Sequence, residues 1–167
     1  PFGSLAGPGI WLYAELLPIP DPAHQVTLGE GSTPLIAVPR LAAAMGLDNL
    51  WLKFDGLNPT GTVKDRSAVT AVAAARQFGF DRIGVVSTGN AATAIAAYAA
   101  RADIRALVLS SATSSRPKVS HVNALTADFM MYRGNYDDLI GAFDRAIDSR
   151  VVFDGGASRN PYKQDGK

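Results

Sequence analysis

The stretch Asn58-Pro-Thr-Gly-Thr-Val-Lys64-Asp-Arg66 places a lysine where a turn leads into a helix. Asn58, Pro59 and Gly61 are turn formers, because proline fixes φ, glycine tolerates positive φ and asparagine hydrogen-bonds within its own turn. Helix-forming residues continue from Lys64 onward. The positive end of the helix macrodipole lies at this terminus and disfavours the ammonium form of an amine. A neutral lysine amine can attack an aldehyde and hold it covalently.

Lys64 therefore has several interpretations. It can carry an aldehyde cofactor, for which pyridoxal phosphate is the obvious choice. It can also be a solvated surface charge, as most lysines at helix starts are. A phosphate-binding P-loop requires G-x-x-x-x-G followed directly by Lys and Ser or Thr. Gly56 and Gly61 have that spacing, but Thr62 and Val63 separate the second glycine from the lysine, which excludes this motif.

A second strand-turn-helix pattern occupies residues 82–101. An apolar run at residues 82–87 is followed by Thr88, Gly89 and Asn90 and then by an alanine-rich segment. The pattern predicts a buried strand, a turn and a helix, with Asn90 at or near the N-cap. The backbone N–H groups of residues 87–91 would then face a concavity that suits a carboxylate or phosphate. Alternatively, Asn90 serves only as the helix cap.

Together, the two stretches resemble the signature loops of pyridoxal-phosphate enzymes of the tryptophan-synthase-β fold type, also called fold type II. The resemblance implies an α/β fold in which a parallel sheet lies between helices, as three layers, and which is incomplete in this chain. It implies that Lys64 is the catalytic residue and holds the cofactor, and that Asn90 hydrogen-bonds the cofactor's ring hydroxyl. Substrate-binding residues implied by the same resemblance are Ser87, Thr88, Gly89 and Ala91.

Within this fold type, the strongest resemblance is to threonine synthases. It rests on residues 9–18, 28–35, 134–138 and 160–166 and implies conversion of O-phosphohomoserine and water to threonine and phosphate. The same resemblance adds Lys118, Ser158 and Lys163 as substrate-binding residues, and for Lys118 the alternative is an exposed lysine at a helix start. Other fold type II enzymes, similar to cysteine synthase or threonine dehydratase, are alternatives. A further alternative is an inactive truncated chain without cofactor.

Several positions depart from the threonine synthase pattern. Ala91 stands where a threonine is expected, Ala157 where an asparagine is expected, and Arg133 where an acidic residue is common. Lys163 replaces an expected arginine, which matters because arginine binds phosphate through two parallel hydrogen bonds and lysine acts as a point charge. These differences leave the choice of substrate open.

Composition limits the other classes of function. The chain is 47% hydrophobic and 19% charged, with a net charge of +1, and no basic stripe indicates nucleic-acid binding. No run approaches the roughly 18 to 20 apolar residues of a membrane span. The absence of cysteine excludes disulfides and thiolate metal sites, and His24 and His121 lack ligand-like spacing. We therefore expect a cytoplasmic protein with a small amino-acid substrate, no metal, no nucleic-acid partner and no membrane partner.

The remaining sequence predicts an alternation of strands and helices, typical of parallel β-α-β units. Residues 1–33 are expected to form an extended arm. Predicted strands are residues 50–54, 83–86, 105–109, 129–132 and 151–153, and predicted helices are residues 39–45, 64–78, 91–101, 118–125 and 136–147.

The resemblance divides the chain into three parts. Residues 1–84 are the arm and part of a larger cofactor domain, residues 85–147 are a smaller mobile domain, and residues 148–167 return to the larger domain. A complete enzyme of this type is roughly twice as long or more, so we expect a fragment of a longer protein. A missing C-terminal half would complete the site, an apolar surface would remain where it packs, and relatives are commonly homodimers.

Overall fold

A computed structural model describes residues 7–112, 116–125 and 127–167 of the chain. Strands β1 to β6 in these ranges are Leu35–Ala37, Trp51–Lys53, Arg82–Val86, Arg105–Ser111, Asp128–Tyr132 and Phe153–Asp154. Helices α1 to α6 are Pro39–Ala44, Lys64–Gln77, Asn90–Arg101, Arg116–Ala124, Tyr136–Asp148 and Pro161–Asp165. Short 3-10 helices cover Gly9–Leu16, Pro22–His24 and Asp55–Leu57.

The central sheet is parallel, with the strand order β5-β4-β3-β6. Ile83 and Val85 on β3 are buried in the core that α2 and α3 also form. Gly84 faces the opposite side, since successive strand residues alternate between the two faces, and there it meets Phe143 of α5 and Val152. Helices therefore cover both faces, which confirms the predicted three-layer parallel α/β fold.

Alanine allows α2 and α3 to pack closely against each other. Ten residues of α2 are buried, and five of these are alanines, Ala68, Ala71, Ala73, Ala74 and Ala75. On α3 the buried run from Ala92 to Ala99 has the same character, with Ile95 and Tyr98 as its large members. A small side chain loses little conformational entropy on burial, so this interface forms at low cost.

The N-terminal segment is not the extended arm that the sequence predicted. Its 3-10 helix Gly9–Leu16 buries Ile10 and Trp11 in the core. Proline and glycine content indicated an extended chain, but burial of these two apolar side chains favours a folded turn. Residues 1–6 lie outside the described part of the chain.

A buried carboxylate attaches this segment to α3. Glu30 is fully buried, and its side chain accepts hydrogen bonds from the Ile10 N–H at 3.1 Å and the Tyr98 hydroxyl at 3.0 Å. It also accepts from the Leu28 N–H at 3.1 Å and from the Thr27 hydroxyl. A buried charge is tolerated when its oxygens are hydrogen-bonded in this way.

The predicted strand at residues 50–54 is present but lies outside the parallel sheet. As β2 it pairs antiparallel with β1, a strand that the sequence analysis did not predict. All six residues of this strand pair are exposed, among them Leu35 at 61% and Trp51 at 55%. The alternation of strands and helices could not reveal this, because β1 is only three residues long.

The other predicted elements are found within a few residues of their expected ends. One difference concerns α3, in which Gly89 is the N-cap and Asn90 is the first helical residue. The division at residues 84 and 85 stays a prediction. That boundary falls within β3, and β6 from the last predicted part pairs with the same strand.

We predict that Gly84→Ala destabilises the fold and that Gly141→Ala does not. A Cβ at Gly84 would lie 2.6 Å from Phe143 Cε2 and 2.9 Å from Val152 Cγ2, so we expect a loss of about 1–3 kcal/mol. A Cβ at Gly141 within α5 meets no atom closer than 3.7 Å, and helix propensity favours alanine there. Urea unfolding measures both, and equal stability of the two variants would contradict the packing described.

Candidate active site

The turn before α2 is held by the second residue of that helix. Asp65 is fully buried, and its carboxylate accepts hydrogen bonds from the Thr60 N–H at 3.2 Å and the Thr60 hydroxyl at 2.7 Å. The Lys64 N–H donates to Thr62 Oγ1 at 3.0 Å. Gly61 closes the turn with a φ of +77°. These contacts place Lys64 on the exposed side of the first turn of α2.

Asn58 ties the same turn to the N-terminal segment. It is buried, its Oδ1 accepts from the Gly31 N–H at 3.0 Å, and its Nδ2 donates to the Asp55 carbonyl at 2.8 Å. The second of these bonds runs back to the preceding 3-10 helix Asp55–Leu57, so it is not the bond within its own turn that the sequence predicted for Asn58. The first is a long-range contact, which no local pattern could have shown.

Arg66 ties the helix end of this turn to Asp55 and Thr33. Its guanidinium donates to both carboxylate oxygens of Asp55, at 3.0 and 3.3 Å, and to Thr33 Oγ1 at 3.1 Å. The Thr33 hydroxyl in turn donates to Asp55 Oδ1. The hydrogen bond from Arg66, and after it the one from the Thr33 hydroxyl, lower the pKa of Asp55 below its usual value. The Lys53 ammonium donates to the Thr33 carbonyl. The loop that carries Lys64 is thus fixed on both flanks.

Lys64 lines a cavity of about 360 Å³ at the carboxyl end of β3. This volume lies within the range of small-molecule sites in proteins. The lining comes from α2, the end of β3, the start of α3, the inner side of α5 and the segment from β6 through α6. Its residues are Lys64, Ser67, Val85, Val86, Ser87, Ala91, Ile140, Phe143, Asp144, Ile147, Asp154, Gly156, Ala157, Ser158, Arg159, Lys163 and Lys167.

Lys163 is a buried cation in this cavity, with 3% of its surface exposed. Its ammonium donates to the Gly155 carbonyl, and its backbone N–H donates to Asn160 Oδ1 at 3.2 Å. Burial lowers the pKa of Lys163 to about 8, Asp154 opposes that change, and the nearby charges of Lys64 and Lys167 add to it. An anion in the cavity would offset the cost of this buried charge.

Five of the predicted site residues share the cavity, namely Lys64, Ser87, Ala91, Ser158 and Lys163. Thr88 and Gly89 instead line a small neighbouring cleft with Ser110 and Phe129. Asn90 is exposed at the start of α3 and is not among the residues that line the cavity. Lys118 belongs to α4, but its side chain lies outside the described part of the structure.

Several residues that line the cavity were not predicted from the sequence. Asp154 ends β6, and a polar residue at the carboxyl end of a parallel strand was a usable signal. Ser67 and Lys167 carried no such signal, and residues 136–147 were predicted only to form a helix. Among the described residues, no group of acidic, histidine or cysteine side chains could hold a metal ion. No helix in those residues has the length and apolar character needed to span a bilayer.

The cavity fits an anionic aldehyde cofactor. No described residue forms a hydrogen bond or ion pair with the Lys64 amine, which is therefore available for a covalent bond. Lys163 and Lys167 supply positive charge, and the hydroxyls of Ser87 and Ser158 supply polar contacts. An α/β protein with a lysine and further positive charge around a cavity at the carboxyl end of its parallel sheet has the kind of site that suits an anionic small molecule.

Comparison with known proteins identifies the family. The chain belongs to the family described as "Pyridoxal-phosphate dependent enzyme", whose model matches residues 26–164. This confirms pyridoxal phosphate as the cofactor of the family to which the chain belongs.

Threonine synthases are among the similar curated proteins. The chain is 37% identical over 161 residues to that of Methanosarcina acetivorans, covering 96% of this chain and 39% of the relative. It is 41% identical over 129 residues to that of Mycobacterium leprae, covering 77% of this chain and 36% of the relative. The chain therefore spans about two-fifths of the length of these relatives.

Solved structures agree on the fold. O-ureido-L-serine synthase matches with a TM-score of 0.69 and 25% identity, over 79% of this chain and 43% of that chain. Diaminopropionate ammonia lyase from Escherichia coli matches with a TM-score of 0.71 and 18% identity, over 86% of this chain and 47% of that chain.

We predict that Lys163→Met stabilises the chain at neutral pH. The folded-state pKa of Lys163 lies below its ordinary value of 10.5, so its burial cost is fully present below pH 8 and is relieved as pH rises from 8 to 10.5. We expect a gain of about 1–3 kcal/mol at pH 7, less whatever the lost hydrogen bond to Gly155 contributed. Urea unfolding at several pH values measures it.

Lys167→Met is the matched control, because Lys167 lines the same cavity and is exposed. Its stability should still rise between pH 8 and 10.5, by somewhat less than that of the wild type, because Lys167 is only the smallest of the causes that lower the pKa of Lys163. If the stability of Lys163→Met rose between pH 8 and 10.5 as much as that of the wild type, burial of the Lys163 ammonium would not explain the wild-type rise.

Proposed function

We propose that this chain carries the lysine-bearing part of the active site of a pyridoxal-phosphate-dependent lyase of the threonine synthase type. The reaction converts O-phosphohomoserine and water to threonine and phosphate. One observation carries the proposal: Lys64 and the buried cation Lys163 line one cavity at the carboxyl end of β3. The similarity to curated threonine synthases over nearly the whole chain supports the choice of reaction.

Each group of cavity residues has a role in this proposal. When bound, pyridoxal phosphate supplies an electron sink for negative charge at the substrate's Cα. Lys64 would hold the cofactor, and its free amine would accept the proton from the substrate's Cα and move protons between Cα and Cβ. Asn90 remains the proposed partner of the cofactor's ring hydroxyl.

The substrate's carboxylate is proposed to bind at the start of α3. The N–H groups in the first turn of a helix have no carbonyl partner within the helix and attract anions. Ala91 in that turn and Ser87 just before it both line the cavity. Thr88 and Gly89, which shape the backbone between them, are the other proposed contacts to this group.

Lys163, Ser158 and Lys118 are proposed to bind the substrate's phosphate. Lys163 is held in place by the Gly155 carbonyl and Asn160, so its ammonium is oriented before any ligand arrives. Burial makes this charge effective toward an anion, because little water competes for it. The remaining length of an enzyme of this type would complete the cofactor site. Homodimeric assembly and a cytoplasmic location are predictions that go with the assignment.

The first test is an absorbance titration of the purified chain with pyridoxal phosphate. We expect a band near ~410–430 nm, which indicates a covalent lysine adduct of this cofactor, and we expect Lys64→Ala to abolish it. Lys64→Arg is the sharper control, because it keeps the positive charge but lacks a nucleophilic amine. A band that persisted in either variant would assign the cofactor to another lysine. Absence of the band in the wild type would refute cofactor binding by this chain alone.

A second test uses the pH dependence of anion binding. Inorganic phosphate is a dianion throughout pH 8 to 10, whereas Lys163 loses its proton as pH rises through about 8. We therefore expect phosphate affinity to fall by up to about tenfold per pH unit above 8. Lys163→Arg should bind phosphate equally well across this range. Calorimetry measures both, and a parallel decline in the two proteins would remove Lys163 from the anion site.

O-Phosphohomoserine then distinguishes the proposed substrate from those of related enzymes. It should displace phosphate more effectively than O-acetylserine or threonine, because only it carries both a carboxylate and a phosphate to the two proposed subsites. Preference for either of the other compounds would favour the cysteine synthase-like or threonine dehydratase-like alternative.

A further inference from the structure

The cavity has two facing walls that belong to different parts of the fold. One is the segment of residues 154–160, hereafter the cavity loop. It is tied to α6, since Gln164 Nε2 donates to the Ala157 carbonyl at 2.9 Å. Within the loop, Asn160, the N-cap of α6, donates from Nδ2 to the Asp154 carbonyl at 2.5 Å. Lys163 adds its bond to the Gly155 carbonyl.

The other wall is the inner side of α5. Ile140, Phe143, Asp144 and Ile147 of this helix line the cavity. Phe143 rests on Gly84 of β3, which fixes the middle of the helix to the sheet. The distance between α5 and the cavity loop determines how wide the cavity is between these walls.

Arg159 joins the two walls. From the cavity loop, its Nη1 donates to Asp144 Oδ1 at 2.8 Å and its Nη2 donates to Asp148 Oδ1 at 3.2 Å. The two acceptors are four residues apart on α5, so they lie on one face of the helix. A planar guanidinium can therefore donate to both carboxylates at once.

We propose that Arg159 is a positioning residue that holds α5 against the cavity loop, and that this contact slows the release of an anion from the cavity. The first part rests on the geometry alone. The second part, which concerns an anion in the cavity, rests on the proposed function.

The exposure of the three side chains makes this contact reversible. Arg159 is 51% exposed, Asp144 38% and Asp148 67%. Exposed ion pairs are weak and are screened by salt. Sharing of one arginine by two carboxylates makes the contact a small network, which is the arrangement in which such pairs contribute measurably. The contact can thus hold α5 in place without preventing it from moving.

Hydrogen exchange of the full chain without ligand tests the first part. In Arg159→Gln and in the double variant Asp144→Asn, Asp148→Asn, we expect α5 and the cavity loop to exchange about three- to fivefold faster at low salt. High salt should remove most of the difference from wild type. Exchange in α2 and α3 should not change, because they form the core.

Arg145→Gln is the matched control. It removes one arginine from the same helix, and among the described residues Arg145 forms no side-chain ion pair. Its exchange rates should equal those of the wild type. The swapped variant Arg159→Asp, Asp144→Arg should recover part of the lost protection. Unchanged exchange of α5 in Arg159→Gln, or an equal increase across α2 and α3, would overturn the proposal.

Release of pyridoxal phosphate tests the second part. Dilution of the loaded chain into excess competing amine should release cofactor about three- to fivefold faster from Arg159→Gln than from wild type or Arg145→Gln. Faster exchange with unchanged release would overturn the link to ligand residence. Failure of the wild-type chain to bind the cofactor would instead contradict the proposed function, and hydrogen exchange would still decide whether Arg159 holds α5.

Discussion

The hydrogen bonds between Asp65 and Thr60 are the constraint on which the site depends. Asp65 is fully buried on α2, and an unpaired carboxylate at that depth would be costly. Both of its oxygens are therefore satisfied by the backbone and hydroxyl of the preceding loop. If the loop moved away from α2, the Asp65 carboxylate would lose these hydrogen bonds while still buried, which is unfavourable. Because α2 itself is packed among α3, α6 and the sheet, the position of Lys64 follows from the packing of the core.

Charge is distributed in the cavity so that an anion is favoured. Lys64, Lys163, Lys167 and Arg159 contribute positive charge, whereas Asp144 and Asp154 contribute negative charge. Two of these opposite charges, Arg159 and Asp144, already pair with each other. The remaining excess is positive and concentrated at Lys163, where burial is deepest. The stability lost by burying this ammonium is therefore linked to the binding of a ligand that compensates it.

Much of the fold could be predicted because its signals are local. Short sequence patterns predict three of its elements: the apolar run of β3, the alanine-rich α3 and the amphipathic α5. Two features were not predicted. Strand β1 has only three residues, and the N-terminal segment folds because Ile10 and Trp11 pack into a core made by helices that are distant in sequence. Helix α3 begins one residue earlier than predicted, at Asn90, because Gly89 takes the N-cap conformation although it lacks a capping side chain.

The sequence alone was sufficient to single out Lys64, the turn before it and the alternating strands and helices, since turn chemistry and hydrophobic periodicity act over a few neighbouring residues. Tertiary contacts were needed to bring Lys64, Ser87 and Lys163 to one cavity and to bury Lys163 there. They also placed Arg159 opposite Asp144 and Asp148. Such juxtapositions depend on how the chain returns to the same edge of the sheet, and no local pattern encodes the distance between residues that lie far apart in the chain.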